Sequence, residues 1–200
     1  MKRIKENFKN YLTYSWYIVL LICLFSYVFS YYVVDYLTRY KDEEVFSLFV
    51  TSKEVINEEL DDIILNKYKK DGIELVNIYN FKYNDKYISS YYENFGKKSD
   101  LLILYKSDLT DMKEYIDNEY MIIQNIDLSN YKTYSYNDKI YGIEIYSNNE
   151  DNNSYLSTYF NFNDGNNDSS YLLINKNSIH FKTNDSLGFN ILNNLLKGEF

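Results

Sequence analysis

The chain has 200 residues and a formal net charge of −8 at pH 7, from 21 basic and 29 acidic side chains. An acidic chain of this kind is a poor partner for nucleic acid and for anionic lipid headgroups. It contains one cysteine, so no intramolecular disulfide can form. Its 25 tyrosines, its lack of proline and its many Asn, Ile and Lys residues are typical of an AT-rich bacterial genome.

The first predicted element is a membrane-spanning helix at residues 14–36. Residues 14–34 carry no charge, and as a helix they would span roughly 30 Å, the thickness of a hydrocarbon core. Aromatic side chains lie near both ends of this run, where the two headgroup layers would be. The lipid bilayer is therefore the first predicted partner.

The charges before this helix predict its orientation. Residues 1–13 form a short basic tail with a single acid, Glu6. Its basic side chains are Lys2, Arg3, Lys5 and Lys9. Because short basic segments stay on the cytoplasmic side during insertion, we predict a single-pass protein of the bacterial cell membrane. Its N-terminus would be cytoplasmic and its C-terminal domain extracellular.

Two other interpretations of the apolar run stay open. A signal peptide could be cleaved after Ser30, although the run continues beyond that position and is longer than a usual signal core. A lipoprotein would use Cys23, but Ile22 is not the small residue that a lipid-attachment site needs just before its cysteine. A retained helix is the preferred interpretation.

After a juxtamembrane linker at residues 37–44, residues 45–200 are long enough for one domain with its own core. Apolar strands are predicted at residues 45–50, 73–78 and 100–105. A helix follows each strand, with predicted caps at Thr51 (in a capping box with Glu54), at Asn84 or Asp85, and at Ser107 or Asp108. This alternation predicts an α/β fold with a mainly parallel sheet and helices on its faces.

The second half of the domain is richer in predicted strands. β-rich segments are expected at residues 131–136, 140–146 and 155–162, and an apolar strand at 171–175. Asn137 and Asp138 form a predicted turn, and a β-hairpin insertion is expected between residues 147 and 172. A final helix at residues 185–196 would be capped by Asn184 or Asp185.

The sequence offers little for catalysis or metal binding. His180 is the only histidine, and its apolar neighbours indicate a packed structural residue more than a triad member. Oxygen-rich segments at 148–153 and 161–168 could be calcium loops, but their spacing favours solvated turns. An enzyme using the paired acids of residues 58–62 is a minor alternative. We predict no catalytic residue, no metal site and no cofactor.

Four stretches together resemble the extracellular solute-binding proteins of bacterial ABC importers. Residues 45–78 are similar to the opening strand, helix and strand of that family, and SDLLILYKSDLTDM at 99–112 is similar to its third strand. DKIYGIEIYS at 138–147 is similar to the crossing segment, with Glu144 where the family commonly has Pro, and residues 171–196 resemble the return strand and helix. Because only about 25 residues separate Ser147 from Leu172, the resemblance implies one lobe and not two.

In an open α/β sheet, ligands bind beyond the carboxyl ends of the strands. This rule, together with the resemblance, gives six candidate ligand-binding residues. They are Thr51 and Ser52 after the first strand, Lys106 and Ser107 after the third, and Tyr141 and Gly142 at the implied crossing.

The sequence therefore predicts a membrane-anchored, extracytoplasmic and non-enzymatic binding module. It would capture a small ligand or dock on an ABC transporter or another membrane protein. The alternative is a structural or assembly subunit of a cell-envelope complex that has no small-molecule ligand.

Overall fold

A computed structural model describes residues 2–83, 85–124, 126–148, 153–163, 168–183 and 186–200, with side chains from residue 16 onward. The chain divides into two units, Met1–Tyr40 and Lys41–Phe200. The first unit is a single helix, and the second contains every strand in the described part of the chain.

The helix of the first unit, α1 (Lys2–Thr38), is 37 residues long. Its segment Trp16–Thr38 is long and apolar enough to cross a membrane. No residue in the most apolar stretch of this segment is buried by the rest of the protein. Large apolar side chains such as Phe25 and Phe29 are about 70% exposed, at 68% and 71%. The predicted membrane-spanning helix is therefore confirmed as far as length and composition define it, while its orientation stays a prediction.

The second unit is built on a six-stranded sheet of β1 (Val45–Ser52), β3 (Leu75–Lys82), β4 (Leu101–Tyr105), β5 (Thr133–Tyr136), β6 (Lys139–Tyr146) and β8 (Ser170–Ile174). These strands lie side by side in the order β3-β1-β4-β8-β6-β5. β3, β1 and β4 are parallel neighbours, and β8 is antiparallel to both β4 and β6. Four of the six strands, β3, β1, β4 and β6, therefore run in one direction, so the predicted mainly parallel α/β sheet is confirmed.

Helices cover both faces of this sheet. They are α2 (Leu60–Tyr68), α3 (Ile88–Asn94), α4 (Lys106–Asp111), α5 (Ile116–Glu119) and α6 (Leu187–Lys197). α2 and α6 pack on the face to which Phe46, Leu48 and Val50 of β1 point, which we call the closed face. α3, α4 and α5 pack on the opposite face, which carries Phe49 and Thr51 and which we call the open face.

The first predicted helix begins later than expected. Thr51 and Ser52 are the last residues of β1, and Glu54–Val55 forms a short strand, β2, that pairs with β7 (Phe160–Asn161). α2 begins only at Leu60. The predicted capping box at Thr51 is wrong because the Thr51 hydroxyl donates to the carbonyl oxygen of Ile103 on the neighbouring strand at 3.0 Å.

Two other predicted caps also differ. α4 begins at Lys106, so Ser107 and Asp108 lie inside the helix and not before it. Asp85 accepts the backbone N–H of Tyr87 at 2.9 Å, but the residue that precedes α3 is Tyr87. Asn84, Asn184 and Asp185 lie outside the described residues, and α6 follows Ser186.

The second half of the domain contains one predicted turn and lacks one predicted strand. Asn137 and Asp138 have φ values of 49° and 61° and join β5 to β6, the pattern of a type I′ hairpin turn. The predicted strand at 155–162 is mostly wrong, since Tyr155–Thr158 is a 3-10 turn. The hairpin insertion between 147 and 172 is not confirmed, and part of it lies outside the described residues.

Candidate functional site

The order of the strands places a switch point between β1 and β4. These two strands are parallel neighbours in the middle of the sheet. From β1 the chain passes to β3 at one edge, whereas from β4 it passes to β5 at the other edge. In open α/β sheets such a reversal leaves a crevice at the carboxyl ends of the two strands, and this crevice is the usual ligand site.

Here Ser107 bonds to both Tyr83 and Asp168 across these strand ends. We call these three side chains the plug. The Ser107 hydroxyl donates to the Asp168 carboxylate at 2.7 Å, and the Ser107 backbone N–H donates to the same oxygen at 3.0 Å. The hydroxyls of Tyr83 and Ser107 are 3.0 Å apart. The ring of Tyr83 also packs on that of Tyr105, with centroids 4.3 Å apart. The plug therefore joins the ends of β3 and β4 to the start of β8.

The two residues predicted at the end of β1 are both buried. Thr51 is 1% exposed and lies on the open face, where it borders a groove described below. Ser52 is fully buried, and its hydroxyl lies 2.7 Å from the side-chain oxygen of Asn80 on β3. Thr51 is thus the predicted residue that the structure brings to the groove, whereas Ser52 joins β1 to β3.

The remaining predicted residues lie elsewhere. Lys106 is exposed, and its backbone N–H donates to the Ser169 carbonyl at 2.9 Å, while Ser107 belongs to the plug. Tyr141 and Gly142 lie within β6, where Gly142 pairs with Leu173 in the body of the sheet. The structure therefore does not place these two residues at the carboxyl ends of β1 and β4.

Both β6 residues have packing roles. Tyr141 is the extra residue of a β-bulge against β5, and its hydroxyl donates to the carboxylate of Asp117. Burial raises the pKa of Tyr141 to about 12, so it stays protonated at neutral pH. A side chain at Gly142 would lie 3.2 Å from the Cβ of Tyr134 and 3.3 Å from that of Tyr171, which explains the glycine there.

A groove of about 680 Å³ lies on the open face beside the switch point. Phe49, Thr51 and Leu104 of β1 and β4 form its floor. One wall comes from α3 and the other from α4 and the segment leading into α5. The wall residues that matter here are Ile88, Ser89 and Tyr92 on one side and Asp108, Met112 and Tyr115 on the other. An open concavity with an apolar floor and polar groups above it has the features of a small-molecule site.

The groove is strongly acidic. Four carboxylates border it, from Glu93, Asp108, Asp111 and Glu119, against one cation, Lys97. The Lys97 ammonium lies 2.7 Å from Glu93 and 3.7 Å from Glu119, and its pairing with Glu93 raises its pKa. No described side chain forms an ion pair with Asp108 or Asp111. One end of the groove is therefore partly neutralised, and the other is not.

Burial raises the pKa of two groups at this site, Asp108 and Tyr92. Burial is the main cause that raises the pKa of Asp108 to about 6, and the neighbouring Asp168 and Asp111 raise it further, while a hydrogen bond to the backbone of Tyr105 lowers it. Burial also holds the pKa of Tyr92 far above its usual value. The Tyr92 hydroxyl therefore stays a donor, and it donates to Glu119 and lies 2.9 Å from the Tyr120 hydroxyl.

The only histidine of the sequence does not line the groove. His180 is 6% exposed and packs edge-on against Phe46, which points to the closed face. Within the described ranges no three His, Cys, Asp or Glu side chains are grouped so that they could hold a metal ion. What the site offers a ligand is shape, an apolar floor and negative charge.

Most of the groove residues were missed by the sequence interpretation. Asp108 is predicted from the sequence only as a helix cap. The available signal was the cluster of acids, Asp108, Asp111, Glu114 and Asp117, that follows a fully buried strand. Comparisons with protein-family models, with curated proteins and with solved structures find no match for this chain.

Proposed function

We propose that this chain is a helix-anchored, non-enzymatic binding protein. In this proposal α1 holds the protein in the bacterial cell membrane, and the unit Lys41–Phe200 binds a small ligand in its open-face groove. The resemblance to one lobe of a solute-binding protein agrees with this role but stays a prediction. The domain would lie outside the cell and deliver its ligand, or a signal of occupancy, to an ABC transporter or another membrane protein.

The observation that supports the proposal is the groove itself. It lies beside the switch point, where doubly wound folds bind their ligands, and its volume of about 680 Å³ suits a small organic molecule. Its floor is rigid because Phe49, Thr51 and Leu104 are at most 3% exposed in strands held on both sides. A rigid floor lowers the entropy lost on binding.

The test is ligand-dependent thermal stabilisation of the whole chain in phosphatidylcholine nanodiscs. A chemically diverse panel of amines, acids, sugars, peptides and neutral aromatics is added at increasing concentrations. A ligand that binds only the folded state raises Tm progressively with its concentration. We expect at least one chemical class to do so.

A matched pair of variants tells whether the groove is the site. Ser89 borders the groove on α3, whereas Ser90 is exposed on the same helix and does not line the groove. Ser89→Trp should abolish the stabilisation, and Ser90→Trp should leave it unchanged. A panel without a responder, or a response that Ser89→Trp preserves, would overturn the proposal in favour of an envelope-assembly subunit without a small ligand.

The proposed orientation has its own test. A single cysteine is placed at the exposed residue Glu58, or at Lys5 in the basic tail, with Cys23→Ser as background. On intact cells, a membrane-impermeant maleimide should label Glu58→Cys and should reach Lys5→Cys only after lysis. The reverse pattern would contradict an extracellular domain.

A further inference from the structure

The distribution of charge along the groove indicates what kind of ligand it takes. Lys97 lies close to Glu93 and Glu119, so its charge compensates one of these two carboxylates. Asp108 and Asp111 lie on α4, and the charged groups that act on Asp108 are Asp111 and Asp168, both acidic. The α4 wall of the groove therefore carries negative potential that no described side chain balances.

The apolar part of the groove indicates the rest of the ligand. Phe49 and Leu104 are almost fully buried in the floor, and Met112 and Ile88 are half-buried on the two walls. Tyr115 is exposed and lines the groove together with Asp111. A ligand that covers apolar surface gains binding free energy, and the face of a tyrosine ring attracts a cation.

We propose that the groove binds a small organic cation, an amine with an apolar body. The charged nitrogen would lie at Asp108 and Asp111, and the apolar body would cover Met112 and Ile88 on the two walls. This inference rests on the proposed function and assigns its ligand class. A bare metal ion fits less well, because two carboxylates are too few ligands and the apolar floor offers it nothing.

Three probes that share one apolar body test the assignment: 4-phenylbutylamine, 4-phenylbutanol and 4-phenylbutyrate. Binding to the whole chain in phosphatidylcholine nanodiscs is measured at pH 7.5 by saturation-transfer NMR, with empty nanodiscs as the blank. Since hydrogen bonds to charged groups are the stronger ones, we expect the amine to bind about tenfold more tightly than the alcohol. The carboxylate should bind most weakly.

Charge-neutral variants locate the nitrogen. Asp111 is exposed, so Asp111→Asn should leave the fold intact while weakening binding of the amine about fivefold and leaving the alcohol unchanged. Glu114→Gln is the matched control, because Glu114 is also exposed and lies outside the groove. Equal loss of amine and alcohol binding in Asp111→Asn would contradict the assignment.

The outcomes separate this inference from the proposal on which it rests. If the alcohol or the carboxylate binds at least as well as the amine, and Ser89→Trp removes that binding, the ligand class is wrong and the groove remains a site. Amine binding that Ser89→Trp preserves also overturns the inference. If none of the three probes binds, the cation assignment is wrong. If no member of the wider ligand panel binds either, the proposed function is contradicted as well.

Discussion

The two faces of the sheet differ in how completely they are covered. Among the described residues, 25 buried hydrophobic residues form the closed-face core, which includes α2 and α6, whereas the open-face core contains nine. α6 alone buries Phe189, Ile191, Leu192, Leu195 and Leu196. On the open face, α3 has no fully buried residue, and α4 and α5 have one each. One face thus supplies most of the apolar burial, and the other leaves room for a groove.

The largest expected contrast comes from shortening one apolar side chain on each face. Leu192 is fully buried on α6, so Leu192→Ala should lower the free energy of unfolding by about 2–5 kcal/mol. Met112 already borders the groove, and Met112→Ala should cost about 1 kcal/mol because it opens no new closed cavity. Pulse proteolysis in urea measures both values. Equal losses would contradict the difference between the faces.

A smaller effect of opposite sign is expected at Asp108. Because its pKa is raised to about 6 in the folded state, the ionised carboxylate destabilises the protein at neutral pH. This penalty is absent below the unfolded pKa near 4 and is complete above about pH 7. Asp108→Asn should therefore raise the free energy of unfolding by about 1–2 kcal/mol at pH 7.5, after allowance for partial exposure, and change little at pH 4.

Urea unfolding of both proteins at the two pH values measures this difference. The groups that face Asp108 are Asp111 on its own helix, Asp168 before β8 and Tyr120 after α5. Asp111→Asn, at an exposed position, serves as the control and should shift stability much less. A destabilised Asp108→Asn protein at pH 7.5 would be inconsistent with a penalised charge. If Asp108→Asn stabilises the protein and also weakens binding of the amine, the carboxylate is kept for the site at a cost in stability.

The smallest effect is expected from one hydroxyl on the α3 wall. Tyr92→Phe removes the bonds to Glu119 and Tyr120 and should cost about 1 kcal/mol. Tyr91→Phe is the control, since the Tyr91 ring stacks on Phe81 with centroids 4.2 Å apart and the substitution keeps this stacking. Thermal melts of both proteins measure the difference. A larger loss in Tyr91→Phe would mean that stacking matters more than the hydroxyl network here.

The sequence predicted the centre of the sheet well because its strands are buried on both faces. Residues 45–50, 100–105 and 171–175 are mostly apolar, and each segment corresponds to an observed strand. The end of β1 was mispredicted because Thr51 has the residue type of a helix cap. Its hydroxyl instead finds a carbonyl on the adjacent strand, a contact that depends on strand pairing and not on local sequence.

The candidate site was predicted less well than the fold. The expectation that ligands bind at the carboxyl ends of the strands predicted the switch point but not the plug. Asp168 lies about 60 residues along the chain from Ser107, so no local pattern joins them. The groove is formed by residues of β1, β4, α3 and α4 that are far apart in the sequence, so local patterns do not predict it. Tyr141 and Gly142 are predicted at the site by resemblance, but they lie within β6, which pairs with β5 on one side and β8 on the other.

The plug also has a consequence for how fast a ligand could exchange. Approach along the strand ends would require breaking the bonds of Ser107 to Tyr83 and Asp168, whereas approach across the open face breaks none of them. Association by the second route needs no opening step, so its rate would be set by diffusion and by attraction between charges. The residence time would then depend only on the contacts within the groove.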